Sequence, residues 1–154
     1  LGYFMSDANG KDQYSLLNIT LKKEKGLVSE INAFITGSHD HGLFLISGKL
    51  SDGIDFETLD SALWEKLNEI KESGFTERKL NSLKNKLSTA KAFQEQGLLN
   101  RSISLSLFEL LGDANGINEE IEIYNQIKNN DILRFAQSIL KKENCSLLKI
   151  NKSK

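Results

Sequence analysis

The chain has 154 residues and a formal net charge of -1, from 20 Lys and Arg against 21 Asp and Glu. This length suits one domain with a hydrophobic core, and the balanced charge argues against nucleic-acid binding, which needs a clustered basic surface. No long uncharged apolar run predicts a membrane span, and a single cysteine excludes an internal disulfide framework.

The first third of the sequence predicts a helix followed by a β-hairpin. Apolar residues at helical spacing predict a helix over Tyr14–Glu24 that ends at Gly26. Two segments with a hydrophobic period of two follow, Leu27–Thr36 and Gly42–Ser51, and both are rich in β-branched and aromatic residues. Their expected inward-facing residues are Ile31, Ala33 and Ile35 in the first strand, and Phe44, Ile46 and Leu50 in the second.

The remaining sequence is mostly helical. Apolar residues recur in steps of three and four, and each predicted helix begins at a capping residue or a glycine bend. One of these helices carries a stripe formed by Leu99, Ile103, Leu107 and Leu110. A short strand over Cys145–Ile150 is predicted to end the chain. The expected caps and bends are Asp55, Thr76, Gly97, Asn118 and either Asn129 or Asn130.

This order of elements predicts an α+β fold in a single domain segment over residues 1–154. The antiparallel hairpin and the C-terminal strand would pack against several helices. Because three strands make a small sheet for so many helices, we expect further strands upstream of this segment.

Both histidines of the chain, His39 and His41, lie in the predicted hairpin turn with Asp40 between them. Two imidazoles at alternate positions could bind one metal ion, but a catalytic zinc needs three protein ligands. Asp and Gly also supply ordinary turn chemistry. We therefore predict a polar hairpin tip and no metal site, with a small metal-binding module as the alternative. Neither a His-Glu-x-x-His motif nor its inverted form His-x-x-Glu-His occurs in the sequence.

Three quoted stretches carry a family resemblance: "KKEKGLVSEINAFITG...HGLFLISGKLSDG", "SGFTERKLNSLKNKL" and "NNDILRFAQSILKKENCSLLKI". In their order and spacing they resemble the second half of a domain of the M16 zinc metallopeptidases, the pitrilysin and insulinase family. The resemblance implies a metallohydrolase-like α+β domain that is repeated in pairs, and two half-shells of such domains enclose a chamber for peptides.

The resemblance also implies where zinc is bound in such a protein. In the family, an inverted His-x-x-Glu-His helix and a downstream Glu hold zinc in the catalytic domain, and this sequence has no such helix. The chain therefore resembles the inactive, C-terminal M16 domain. We expect no cofactor and no catalysis in this chain itself, with zinc and metalloendopeptidase activity in the catalytic domain of its parent.

Two positions match residues that bind substrate in active relatives. In those relatives an Arg and a Tyr seven residues later polarise the substrate carbonyl opposite zinc. The matching positions here hold Lys22 and Ser29, so both are substituted. Lysine keeps the charge without the planar fork of arginine, and serine is too short to replace a phenol. We therefore expect that this segment does not supply the pair.

The resemblance leads to one main hypothesis about function and one alternative. In the first, the chain completes the peptide chamber, with a catalytic M16 domain and a peptide as its partners. In the alternative, the chain is a scaffold of the same fold in a protein that has lost proteolysis. Exposed apolar surface would also allow a homodimer. The sequence does not assign a compartment; the resemblance suggests a periplasmic parent and leaves a cytoplasmic one open.

Overall fold

The structure is a computed structural model that describes residues 15–36 and 42–151. The described residues form two compact units. Unit 1 contains the residues up to Ser73 and those from Leu133 onward, and unit 2 is Gly74–Ile132. That residues 1–154 form a single domain segment stays a prediction.

A two-stranded antiparallel sheet lies in unit 1. Strand β1 is Val28–Ile35 and strand β2 is Phe44–Leu50, with Ala33 opposite Ile46 in the register. The hairpin and the α+β class are confirmed. Ile31 and Ala33 are buried, as their places in the alternating pattern require, but the predicted inward position of Ile35 is wrong, because this last residue of the strand is 51% exposed.

A short π-helix precedes the sheet and covers Asn18–Glu24. The sequence predicts a helix here, and the described part of that helix is confirmed. Its turns are wider than those of an α-helix, because each hydrogen bond joins residues five apart instead of four. Leu17 and Leu21 are both fully buried, and the π-helix contacts β1 and the helix that follows the hairpin. This corner is therefore the best buried part of unit 1.

Helix α1 spans Phe56–Ser73 and begins where the sequence predicts. A carboxylate oxygen of Asp55 accepts a hydrogen bond from the backbone N–H of Thr58 at 2.7 Å, which satisfies one of the open donors of the first turn. Leu67 and Ile70 are buried on the inward face. The predicted cap is confirmed.

Unit 2 is built from helices joined by short turns. No helix among the described residues is long and apolar enough to cross a membrane. The predicted cap Thr76 is confirmed, because its hydroxyl accepts a hydrogen bond from the N–H of Lys79. The helices are α2 (Glu77–Gln94), α3 (Leu98–Leu110), α4 (Gly116–Gln126) and α5 (Asn129–Ile139), of which the last continues into unit 1.

The predicted cap Asn118 is wrong, since α4 begins two residues earlier, at Gly116. A carboxylate oxygen of Asp113 accepts a hydrogen bond from the N–H of Asn115 at 2.8 Å, and this starts the turn before the predicted cap. The earlier start also buries Ile117 to 6% exposure. Burial of this side chain explains why the helix extends over residues that composition alone assigns to a turn.

The predicted C-terminal strand is also wrong for the described residues. Cys145–Ile150 makes no strand pairing, and Cys145 is exposed. A strand needs backbone partners, and within the described ranges β1 and β2 pair only with each other. The segment is instead linked to α1, because the Lys149 ammonium lies 3.8 Å from a carboxylate oxygen of Glu57.

A charged network connects α2 with α4 inside unit 2. The Lys91 ammonium donates to Glu120, and to Glu95 at 3.1 Å, while the Tyr124 hydroxyl also donates to Glu120. Burial raises the pKa of Glu120, but the bonds from Lys91 and Tyr124 outweigh burial and hold that pKa below its usual value of 4.5. Burial lowers the pKa of Lys91, and its two carboxylate partners outweigh this and raise that pKa above 10.5.

This network predicts a pH-dependent contribution to stability. Because the pKa of Glu120 is lower in the folded chain, its contribution is present above pH 4.5 and is lost as the pH falls through the folded value. We expect Glu120→Gln to lower the free energy of unfolding at pH 7 by about 1–2 kcal/mol and to flatten its decline in acid. Urea unfolding at a series of pH values measures both effects.

The matched control is Glu122→Gln, on the same helix at an exposed position. It should change the unfolding free energy by no more than about 0.5 kcal/mol. If Glu120→Gln has the same stability and the same acid limb as the unsubstituted chain, the Lys91–Glu120 pair does not stabilise unit 2.

Candidate functional site

The two residues that the sequence places at a candidate site lie at the corner between the π-helix and β1. The corner turns at Gly26, whose φ of 63° is in the left-handed region that favours glycine. The N–H of Leu27 donates to the carbonyl of Leu21 at 2.8 Å, across this turn. This bond closes the corner and brings together the chain segments that carry Lys22 and Ser29.

A buried polar side chain attaches the π-helix to the sheet. Asn18 is 5% exposed, and its amide nitrogen donates to the Ser15 hydroxyl at 2.9 Å and to the Ile31 carbonyl at 3.4 Å. Buried polar groups are costly unless they are hydrogen-bonded, so these contacts select one position of the π-helix against β1. They also occupy a backbone acceptor on β1.

Lys25 connects the same corner to α1. Its ammonium donates to a carboxylate oxygen of Glu65 at 2.7 Å, and this hydrogen bond holds the pKa of Glu65 below its usual value. Both groups are exposed, so the pair contributes little to stability. The last turn of the adjoining π-helix carries two further lysines, Lys22 and Lys23.

Lys22 is exposed and has no hydrogen-bond or ion-pair partner among residues 15–36 and 42–151. It follows the fully buried Leu21, so its backbone is anchored while its side chain extends into solvent. A lysine in this position can offer a positive charge to a peptide carboxylate or carbonyl. It cannot offer the planar two-point contact that arginine makes.

Ser29 is the extra residue of a β-bulge in β1. Val28 pairs with Leu50 and Glu30 pairs with Lys49, so two residues of β1 lie opposite one step of β2. The Ser29 hydroxyl donates to the backbone carbonyl of Lys49 at 3.2 Å. The Ser29 hydroxyl proton is therefore already used inside the hairpin. The side chain is also too short to reach a carbonyl that lies beyond the hairpin.

Lys22 and Ser29 are thus exposed on the two elements that meet at Gly26, and these elements show two irregularities that the sequence did not predict, the π-helix and the bulge. The signal for the bulge was present, because Val28 and Ile31 are both buried although a regular strand would place them on opposite faces. Nothing in the apolar spacing distinguishes a π-helix from an α-helix. Bulges and π-turns are both frequent at functional sites.

The turn predicted at His39 and His41 stays a prediction, since both residues lie outside those that the structure describes. Elsewhere in the described ranges, no group of three or more His, Cys, Asp or Glu side chains is arranged to hold a metal ion. The structure therefore offers no zinc site in the part of the chain that it describes.

The family model of the peptidase M16 inactive domain matches residues 2–87, which is more than half of the chain and includes the π-helix, the hairpin and α1. The chain belongs to the M16 inactive-domain family. The matched range contains both Lys22 and Ser29. Among curated proteins, none matches this sequence.

Solved structures of proteases share the fold. The inactive peptidase domain of a candidate zinc protease from Bordetella parapertussis matches with a TM-score of 0.81 and 19% identity, over 99% of this chain and 81% of that one. A candidate zinc protease from Bordetella pertussis Tohama I matches with a TM-score of 0.77 and 21% identity, over 93% of this chain and 76% of that one.

A protease from Helicobacter pylori matches with a TM-score of 0.79 and 18% identity, over 88% of this M16 domain. The chain spans 33% of the length of the Helicobacter pylori protein. At these identities the likeness shows the fold alone, and it agrees with the family assignment.

The bulge leads to a test by deletion. Removing Ser29 would restore regular alternation and still leave Val28 and Ile31 on the same face, so we expect a loss of less than about 2 kcal/mol in the free energy of unfolding. Urea unfolding followed by circular dichroism measures it.

Deletion of Asn32 is the matched control in the same strand. It would place Ile31 and Ala33 on opposite faces, and we expect a loss of more than about 3 kcal/mol or no cooperative unfolding at all. Equal effects of the two deletions would show that Ser29 is not the extra residue of a bulge.

Proposed function

We propose that this M16 inactive domain completes the peptide-binding chamber of a zinc metalloendopeptidase whose chemistry is carried out by another domain. The observation that carries the proposal is the match to the inactive-domain family over the corner that holds Lys22 and Ser29. The partners are the catalytic M16 domain, in the same or another chain, and a peptide substrate. Nucleic acid and membrane have no part in this function.

The substitutions at the corner support an architectural role. A residue that polarises a carbonyl must place a donor where negative charge develops in the transition state. Lys22 has a mobile charge, and the Ser29 hydroxyl already donates to Lys49. We propose that the corner faces the peptide without stabilising the transition state.

The backbone of the hairpin supports a role in lining the chamber. An extended peptide can bind along a sheet edge, because backbone hydrogen bonds give affinity that tolerates many sequences. On β1, the carbonyl of Ile31 already accepts a bond from Asn18. On β2, no further strand is paired in the described ranges, so β2 is the edge that we propose for such contacts.

Zinc, in this proposal, belongs to the catalytic domain of the parent. The donor set of the described residues does not fit a zinc site, because it contains no suitable group of three ligands. A zinc ion in the catalytic domain would supply an activated water and a polarised carbonyl. The contribution of this chain is the wall of the chamber and the orientation of the peptide.

Reconstitution tests the proposal. The chain is mixed with the zinc-bearing M16 domain of its parent, and cleavage of a quenched fluorescent peptide is followed. We expect no cleavage by this chain alone and an increase in kcat/KM of at least about tenfold over the catalytic domain alone, because positioning of the peptide is restored.

Two outcomes would contradict the proposal. One is an unchanged kcat/KM at saturating concentrations of this chain. The other is a parent in which the partner domain has no zinc-binding helix, which would indicate the scaffold function instead.

Substitution at the corner gives a second test in the reconstituted enzyme. We expect Lys22→Ala together with Ser29→Ala to change kcat by less than about threefold, since neither side chain contacts the reacting carbonyl in this account. KM can rise modestly if the lysine charge attracts peptide carboxylates. A fall in kcat of a hundredfold or more would show that the pair acts on the transition state despite its substitutions.

A further inference from the structure

The last part of the chain that the structure describes lies on the surface of unit 1. We define the strap as residues 141–151. Leu140 is the last buried residue before it, and every residue of the strap is exposed. From residue 146 onward, the strap makes no backbone–backbone hydrogen bond within the described ranges. Neither a buried side chain nor a strand pairing therefore holds the strap in place.

Two lysines connect the strap to α1. The Lys142 ammonium lies 5.5 Å from the centre of the Trp64 ring, and the Lys149 ammonium lies 5.5 Å from the centre of the Phe56 ring. The Lys149 ammonium is also the one that lies 3.8 Å from a carboxylate oxygen of Glu57. Because the earlier lysine contacts the later aromatic residue, the strap runs in the opposite direction to α1. The two aromatic residues are about 12 Å apart along the helix axis, so the strap is attached at two separate points.

All of these contacts are electrostatic and open to solvent. An ammonium group is attracted to the negative face of an aromatic ring, and this attraction is weak where water reaches the pair. The side chains of Lys149 and Glu57 are 40% and 87% exposed, so salt screens their attraction. Ordering the strap also costs conformational entropy at each of its residues. Since little else opposes that cost, the loss of the lysine contacts favours release of the strap.

We propose that the strap is a detachable element, closed on α1 by Lys142 and Lys149 at low ionic strength and opened when salt screens these two charges. In the closed state the lysine side chains cover the rings of Trp64 and Phe56, which are half-buried. Opening uncovers both rings. It also releases a segment with strand composition and unpaired backbone groups, which can then join a sheet. The inference does not depend on the proposed peptidase function.

The chain carries one tryptophan and one cysteine, and the two residues lie on the two partners of this contact. Trp64 is on α1, and Cys145 is exposed in the strap. A nitroxide attached to Cys145 quenches tryptophan emission at short range only. The emission of the labelled chain, divided by that of the unlabelled chain, therefore reports whether the strap is closed. We expect this ratio to rise at least about twofold between roughly 10 mM and roughly 500 mM NaCl, because salt shortens the range of electrostatic attraction.

Substitution of the two lysines tests which charges close the strap. Lys142→Gln and Lys149→Gln each remove a charge, and at the lower salt concentration each should raise the emission ratio. In the double variant the ratio should no longer depend on salt. The matched control is Lys141→Gln, on the neighbouring residue, whose ammonium lies over no aromatic ring of the described residues. This control should respond to salt as the unsubstituted chain does.

Circular dichroism establishes that the labelled chain and its variants are folded. An emission ratio that is the same at both salt concentrations in the unsubstituted chain would overturn the proposal. So would equal effects of Lys141→Gln and of the two strap variants, since the total charge of the strap, and not the two ring contacts, would then determine its position.

Discussion

The contact between the π-helix and β1 is well buried and holds the corner at Gly26 in place. Leu17 and Leu21 are fully buried at this contact, and Asn18 adds a directional hydrogen bond to the Ile31 carbonyl. Apolar burial alone would allow the π-helix to slide along the sheet. The amide bond restricts it to one register, since a displaced Asn18 would be buried without partners. The corner at Gly26 is closed in the same arrangement by the bond from the Leu27 N–H to the Leu21 carbonyl.

The residues that hold the corner together are different from the two exposed candidate site residues. The anchored residues of the corner are apolar or form internal hydrogen bonds, while Lys22 and Ser29 are exposed on the same elements. An M16 inactive domain can therefore change these two side chains without loss of the fold.

Much of the fold was predictable from periodicity, because buried faces repeat with the period of the element that carries them. The hairpin and the caps at Asp55 and Thr76 agree with the sequence analysis, whereas the last helix already includes Asn129 and Asn130, which were predicted as its cap. The position of Lys22 and Ser29 at one corner also follows from their place before and after Gly26. The sequence prediction fails for residues whose secondary structure or burial depends on other parts of the chain.

Three cases show this dependence. The C-terminal segment has strand composition, but pairing needs a sheet edge that sequence alone cannot supply. The apolar stripe of α3 that runs from Leu99 to Leu110 has core periodicity, yet its side chains are exposed, while Phe108 on the other side of the helix lies against α4. The start of α4 depended on a hydrogen bond from Asn115 to Asp113 that a cap rule based on composition does not contain.

We propose that this chain carries out no chemistry of its own and supports a catalytic domain. The most direct measurement is the zinc content of the purified chain after dialysis, with peptidase activity assayed on the same sample. The account predicts less than stoichiometric zinc and no cleavage. One zinc per chain that is lost in a His39→Ala/His41→Ala variant, together with cleavage that is lost in parallel, would contradict it.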